Sequence, residues 1–151
     1  MSDPLTTQYQ NILQAPIELT NLLTGTGFFS GGILRGFPEN IKNMTGDTAT
    51  IFMDGLDYPT ERPMSQRNRP DFLECIIGLI SKGTKTDKHD TIRTNAVNIL
   101  SQFETNQDWI TLNDTVRDTQ VVGLKITPEN SNNTLLTTAI INLKCDVRFR
   151  Q

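Results

Sequence analysis

Histidine and cysteine are almost missing from this chain. His89 stands alone, and the only thiols are Cys75 and Cys145. Two Cys and one His do not make a zinc site. Each Cys falls on an apolar strand face, so buried, reduced thiols acting as small hydrophobes are expected. Basic runs are missing too: the net charge is -3 and no block of Lys or Arg occurs. A protein that grips nucleic acid by its phosphates needs such a block, because counterion release supplies most of the affinity. Tight DNA binding is therefore not expected, while passing contact with DNA stays open. No stretch approaches the roughly 20 apolar residues of a membrane helix. Met1-Ser2-Asp3-Pro4 has neither the basic start nor the apolar run of a signal peptide, so a soluble protein made in a cytoplasm is expected.

Apolar residues are scarce at 36%, with Thr and Asn in their place. Two readings follow. Part of the chain is an arm that packs only against a partner, or the core is small and the surface loops are long. A length of 151 residues suits one domain with a real core.

The most regular pattern is at the C-terminal end. From Thr138 to Arg150 the residues alternate: Ile141, Leu143, Cys145, Val147 and Phe149 on one face, Asn142, Lys144, Asp146, Arg148 and Arg150 on the other. A period of two predicts a strand with one face buried and one polar. The polar face carries both signs of charge, more than a solvent face needs, which points to a subunit built to be paired.

Earlier in the chain, Pro4 and the apolar residues Leu5, Tyr9, Ile12 and Leu13 predict a helix. Pro16 predicts a kink, or a second helix through Ile17, Leu19, Leu22 and Leu23, ended by Gly25 and Gly27. From Gly25 to Pro70 the periodicity is lost. Short strands fit at 31–36 and 49–53, but the segment as a whole reads as an extended arm or hairpin ordered against a neighbour. Asp71–Ser81 predicts a central strand, with Leu73, Cys75, Ile77 and Leu79 on one face and Phe72, Ile76 and Ile80 on the other. Asp87–Phe103 predicts a helix whose stripe of Ile92, Ala96, Ile99, Leu100 and Phe103, widened by Val97, lies across the sheet. Trp109, Ile110 and Leu112 read as the start of an extended piece, with a turn or bulge at Asn113-Asp114. A strand over 116–127 follows, with Val122, Leu124 and Ile126 on one face. A turn over Pro128–Asn133 closes an antiparallel hairpin with the last strand. The expected fold is a single α+β domain, 1–151: a mainly antiparallel sheet with helices on one face and a long arm over 25–70. The other face of the sheet carries Glu74, Lys125, Lys144, Asp146, Arg148 and Arg150.

No catalytic set emerges. Gly31-Gly32 and Gly83-Thr84-Lys85-Thr86 lack the spacing of a phosphate loop and read as turns. Asp47-Thr48-Ala49 resembles the triplet of dimeric aspartic proteases, but that chemistry needs a largely all-β chain with a flap. His89 sits in the first turn of a helix, where the dipole disfavours its protonation. Asp54, Asp57 and Glu61 form a loose acidic cluster matching no EF-hand loop. They leave open a small enzyme with a carboxylate site. No cofactor and no metal is expected. Arg62, Arg67 and Arg69, in a Pro-rich stretch, suit an interface because the planar guanidinium pairs well with carboxylates; simple surface exposure is the alternative.

The layout resembles the tail-terminator and tail-completion proteins of long-tailed bacteriophages. The resemblance rests on Leu5–Leu23, the arm through Pro59-Thr60-Glu61-Arg62-Pro63, the strand Phe72–Ile80 and the helix Asp87–Phe103. Asp108-Trp109-Ile110-Thr111-Leu112, leading to Val121–Thr127 and Ala139–Phe149, completes it. It implies a structural virion protein found in the tail or neck, and in the host cytoplasm before assembly. Such proteins form six-membered rings that cap the tail tube, stop its polymerisation and offer the surface for head joining, with DNA passing through unbound. The implied partners are other copies of the chain, the tail tube protein and the neck or connector proteins, with no membrane. The neighbouring possibility is a neck or head-completion connector. A ring needs head-to-tail contacts that close. Lys144, Asp146, Arg148 and Arg150 are the residues expected to supply them or to line the channel.

Overall fold

Ile12, Ala15, Leu19 and Leu23 recur at steps of three and four, and all four are buried. They form the inner stripe of the first helix, α1 (Pro4–Gly25). The computed structural model describes residues 4–35, 47–58, 69–83, 87–131 and 134–148. Contrary to the expected kink or break, α1 is one helix that runs on through Pro16. Pro16 brings no N–H to the ladder, and its own carbonyl also accepts from Thr20 Oγ1 at 2.8 Å. The C-terminus is closed by Thr26, whose N–H donates to the Leu23 carbonyl, and by Gly27 at φ 72°, a left-handed conformation that glycine adopts without strain.

Five strands make the sheet: β1 (Ile33–Arg35), β2 (Thr48–Asp57), β3 (Phe72–Gly83), β4 (Asp118–Ser131) and β5 (Thr134–Asp146). Their spatial order is β1-β2-β3-β5-β4. β1 runs parallel to β2, and every other neighbour is antiparallel. The fold is α+β, and β3 is central as its two apolar faces predict. Helix α2 (Asp87–Thr105) lies against β3, β4 and β5, and α1 lies against β1 and β2. Both helices bury their stripes against one sheet face, in a single core with Leu73, Cys75, Ile77, Leu79, Ile141 and Leu143. Each fully buried Leu or Ile contributes about 1.5–3 kcal/mol. Cys75 and Cys145 are free and buried in that core. A hydrogen bond with Cys145, then burial, pushes the Cys75 thiol far up, so it stays protonated.

Several expectations need correction. Within the arm over 25–70, the short strands expected at 31–36 and 49–53 are present as β1 and β2, and β2 is longer than expected and built into the sheet. Ala49 and Ile51 join the core, while Thr48 and Thr50, which alternate with them, are buried on the opposite face. Residues 36–46 and 59–68 of that arm, Arg62 and Arg67 among them, lie outside the described residues. Trp109 does not begin an extended piece. It belongs to a short helix, α3 (Gln107–Ile110), capped by Asn106, whose side chain accepts from the Asp108 N–H. Its ring packs edge-on against Phe103, centroids 5.3 Å apart. The chain then turns through Leu112, Asn113 and Asp114, all at positive φ. Val97 does not widen the buried stripe of α2, being 58% exposed, whereas Asn95 is buried beside Ala96.

In β4 a bulge between Val121 and Gly123 resets the alternation. Leu124 and Ile126 pair with Ile141 and Ala139 on the core side, as Val121 pairs with Leu143. Val122 is the extra residue and is 65% exposed, so it does not share their face. The closing turn is also shorter than expected. Pro128 to Ser131 continue the ladder, and Ser131 pairs with Thr134. Pro128 fits there because β4 is an edge strand, where a missing N–H breaks no ladder bond.

Candidate subunit interface

Among the described residues, no helix covers the second face of the sheet. The strand register sets its rows. Phe72 pairs with Asp146, Glu74 with Lys144, Ile76 with Asn142, Gly78 with Ile140 and Ile80 with Thr138. The face therefore has a charged end and an apolar end, joined along β3 and β5.

At the charged end Phe72 is an aromatic platform. Lys144 Nζ lies 4.4 Å from its ring centroid and the Arg148 guanidinium 5.8 Å, both within cation–π range. Lys144 Nζ also approaches Asp57 Oδ2 at 3.8 Å, an exposed pair of small worth. Asp146 is gripped more firmly. Its Oδ1 accepts from Arg148 N and Nε at 3.0 Å each, and its Oδ2 from Arg148 Nη2 at 2.7 Å. Burial alone would push the Asp146 carboxyl up. The Arg148 hydrogen bonds outweigh it and hold the group below its ordinary value. The main chain fixes this corner as well: Val147 N–H donates to the Asp71 carbonyl and Arg117 N–H to the Asp146 carbonyl.

Along the apolar part runs a groove of about 520 Å³ lined by Phe52, Ile76, Gly78 and Ile140, with Thr50 and Thr138 at its sides. Gly78 forms the floor. A Cβ there would lie 2.6 Å from Thr50 Oγ1. Ile140 stands 43% exposed beside it. A smaller cavity of about 280 Å³, lined by Asp54, Glu74, Val122 and Lys144 among others, continues toward the charged end.

Of the residues expected to make contacts, Lys144, Asp146 and Arg148 come together around Phe72. Arg69 is half-buried at the entrance to β3. Arg62, Arg67 and Arg150 lie outside the described residues. Phe72 and Glu74, expected on this side of β3, and Gly78 and Ile140 are the surface residues that the expectation did not name as contacts. The signal for them was present in the apolar residues on the second side of β3, which mark an open groove as well as a central strand.

The alternatives for chemistry gain little from the geometry. Asp47 accepts from Ser81 Oγ at 2.6 Å, at the mouth of β2. Glu61 lies outside the described residues. Among the described residues, no group of three or more His, Cys, Asp and Glu side chains is placed to hold a metal ion. No protein-family model matches the chain, and no curated protein matches it in sequence.

Proposed function

We propose that this chain is a structural virion subunit whose copies close into a six-membered ring. The ring caps the phage tail tube, ends its polymerisation and offers the head-joining surface, with DNA passing through. The observation that carries the reading is the second sheet face, which no helix covers among the described residues, and where an apolar groove adjoins the cluster of Phe72, Lys144, Asp146 and Arg148. A domain working alone gains nothing from exposed Ile140 and Val122 beside opposed charges. A subunit that meets its neighbours does. The resemblance in layout supplies the kind of assembly, and the net charge of -3 suits a conduit through which DNA slides without sticking.

Purified chain is mixed with tail tube protein, and complexes are weighed by native mass spectrometry and viewed by electron microscopy. Six-fold rings seated on tube ends are expected. A chain that neither forms rings nor shortens growing tubes overturns the reading.

A further inference from the structure

The second sheet face carries both halves of a lock in the same rows. Glu74 on β3 is in register with Lys144 on β5, and Gly78 on β3 with Ile140 on β5. A two-fold axis parallel to the strands and midway between β3 and β5 sets each β3 residue of one copy opposite its own β5 partner in the other. Glu74 then faces Lys144, and the exposed Ile140 faces the hollow left by Gly78. Both contacts occur twice. We infer that the free chain pairs with a second copy of itself through this face, sheet on sheet, with Glu74 opposite Lys144 and Ile140 opposite Gly78.

Three observations favour a second copy. The first is charge complementarity within one row: rotation about the axis lays the Glu74 carboxylate of each copy over the Lys144 ammonium of the other, and the like-charged Asp57 and Asp118 face each other only at the outer ends of the Phe72 row. Second, Glu74 has no ion-pair partner within the chain among the described residues. Third, the two edge strands carry features that discourage addition of a strand. β1 is three residues long, and β4 carries a bulge, Lys125 and Pro128, the devices that protect edges from pairing. Association is thereby directed to the face, where aligned sheets pack about 10 Å apart. A ring closes through head-to-tail contacts and this contact is two-fold. The pair is thus the form of the free chain, and it stands whether or not the ring reading does.

The test is sedimentation equilibrium over a wide concentration range. Wild-type chain is expected to be a dimer. Glu74→Lys sets two lysines against each other, and Lys144→Glu sets two glutamates. Each variant alone should dimerise about ten-fold or more weakly. An equimolar mixture of the two should recover the dimer, because both cross-copy contacts are then restored, which pairing within a chain does not achieve. Ile140→Asp should abolish the dimer while circular dichroism stays native. A wild-type chain that remains monomeric overturns the inference, as does a mixture no better than its components. Rings forming on tail tubes from a chain that never dimerises would overturn this inference alone. A dimer that leaves tube growth unaffected would overturn the ring reading alone.

Discussion

Gln8 Nε2 donates to the carbonyl of Val147 at 2.8 Å, across 139 residues of chain. The same nitrogen donates to the Pro70 carbonyl at 2.8 Å. One buried amide thus ties α1 to the entry of β3 and to the exit of β5. Gln8→Leu removes both bonds and strands two carbonyls. Each unsatisfied buried group costs about 1–3 kcal/mol, so urea unfolding should show a loss of at least about 2 kcal/mol. A loss under 0.5 kcal/mol, on the order of a surface change, would mean that the tie contributes nothing.

The floor of the groove makes a second prediction. Gly78→Ala drives a methyl group into Thr50 Oγ1, and Thr50 is buried, with a side chain stiff at χ1. Overpacking of this kind costs about 1–3 kcal/mol. Thr50→Ala in the same chain removes the obstructing hydroxyl. A double-mutant cycle by thermal unfolding should therefore give a large coupling, with the double variant more stable than Gly78→Ala alone. Additive effects would show that the two residues do not meet.

Val147 and Arg148 are adjacent in sequence and opposite in environment: Val147 is buried and Arg148 is exposed. Val147→Asp places a charge in the core and should abolish the cooperative unfolding transition. Arg148→Glu should leave the circular dichroism spectrum unchanged and weaken ring closure on tail tubes, more so at low salt. An unfolded Arg148→Glu protein would contradict the face assignment.

The Asp146–Arg148 contact also sets a pH dependence. The folded protein holds the Asp146 carboxyl below its ordinary value, so the native state gives up that proton more readily than the unfolded chain does. The pair's contribution is complete above the ordinary carboxylate range, and it is lost as pH falls through the lowered folded value. Arg148→Gln should raise the Asp146 midpoint seen by carbon NMR of the side-chain carboxyl and flatten the acid limb of the stability profile. An unmoved midpoint would assign the shift to another group.

Periodicity made β3, β5 and α2 readable in the sequence, because each carries apolar residues in step with its own geometry. It failed where one residue breaks the count. β2 was legible only over 49–53, because Thr48 and Thr50 read as polar, although both are buried, and because a bulge near Gly55 interrupts the alternation. Trp109 and Ile110 read as extended because a four-residue helix is too short to show a period. Lys144, Asp146 and Arg148 were legible as a charged face. Phe72 was legible on the second side of β3, but its place beneath two of them was not, since only the strand register brings residues so far apart in sequence into one row. The Gln8 tie has no sequence signal at all.

The bulge at Val122 reaches beyond local geometry. Loss of that single codon would leave composition nearly unchanged, yet β4 would straighten into an even zigzag, its outward amides and carbonyls aligned to recruit further chains. The position that looks most dispensable in the sequence is thus, with Lys125 and Pro128, part of what makes the long edge of β4 a poor template for further strands.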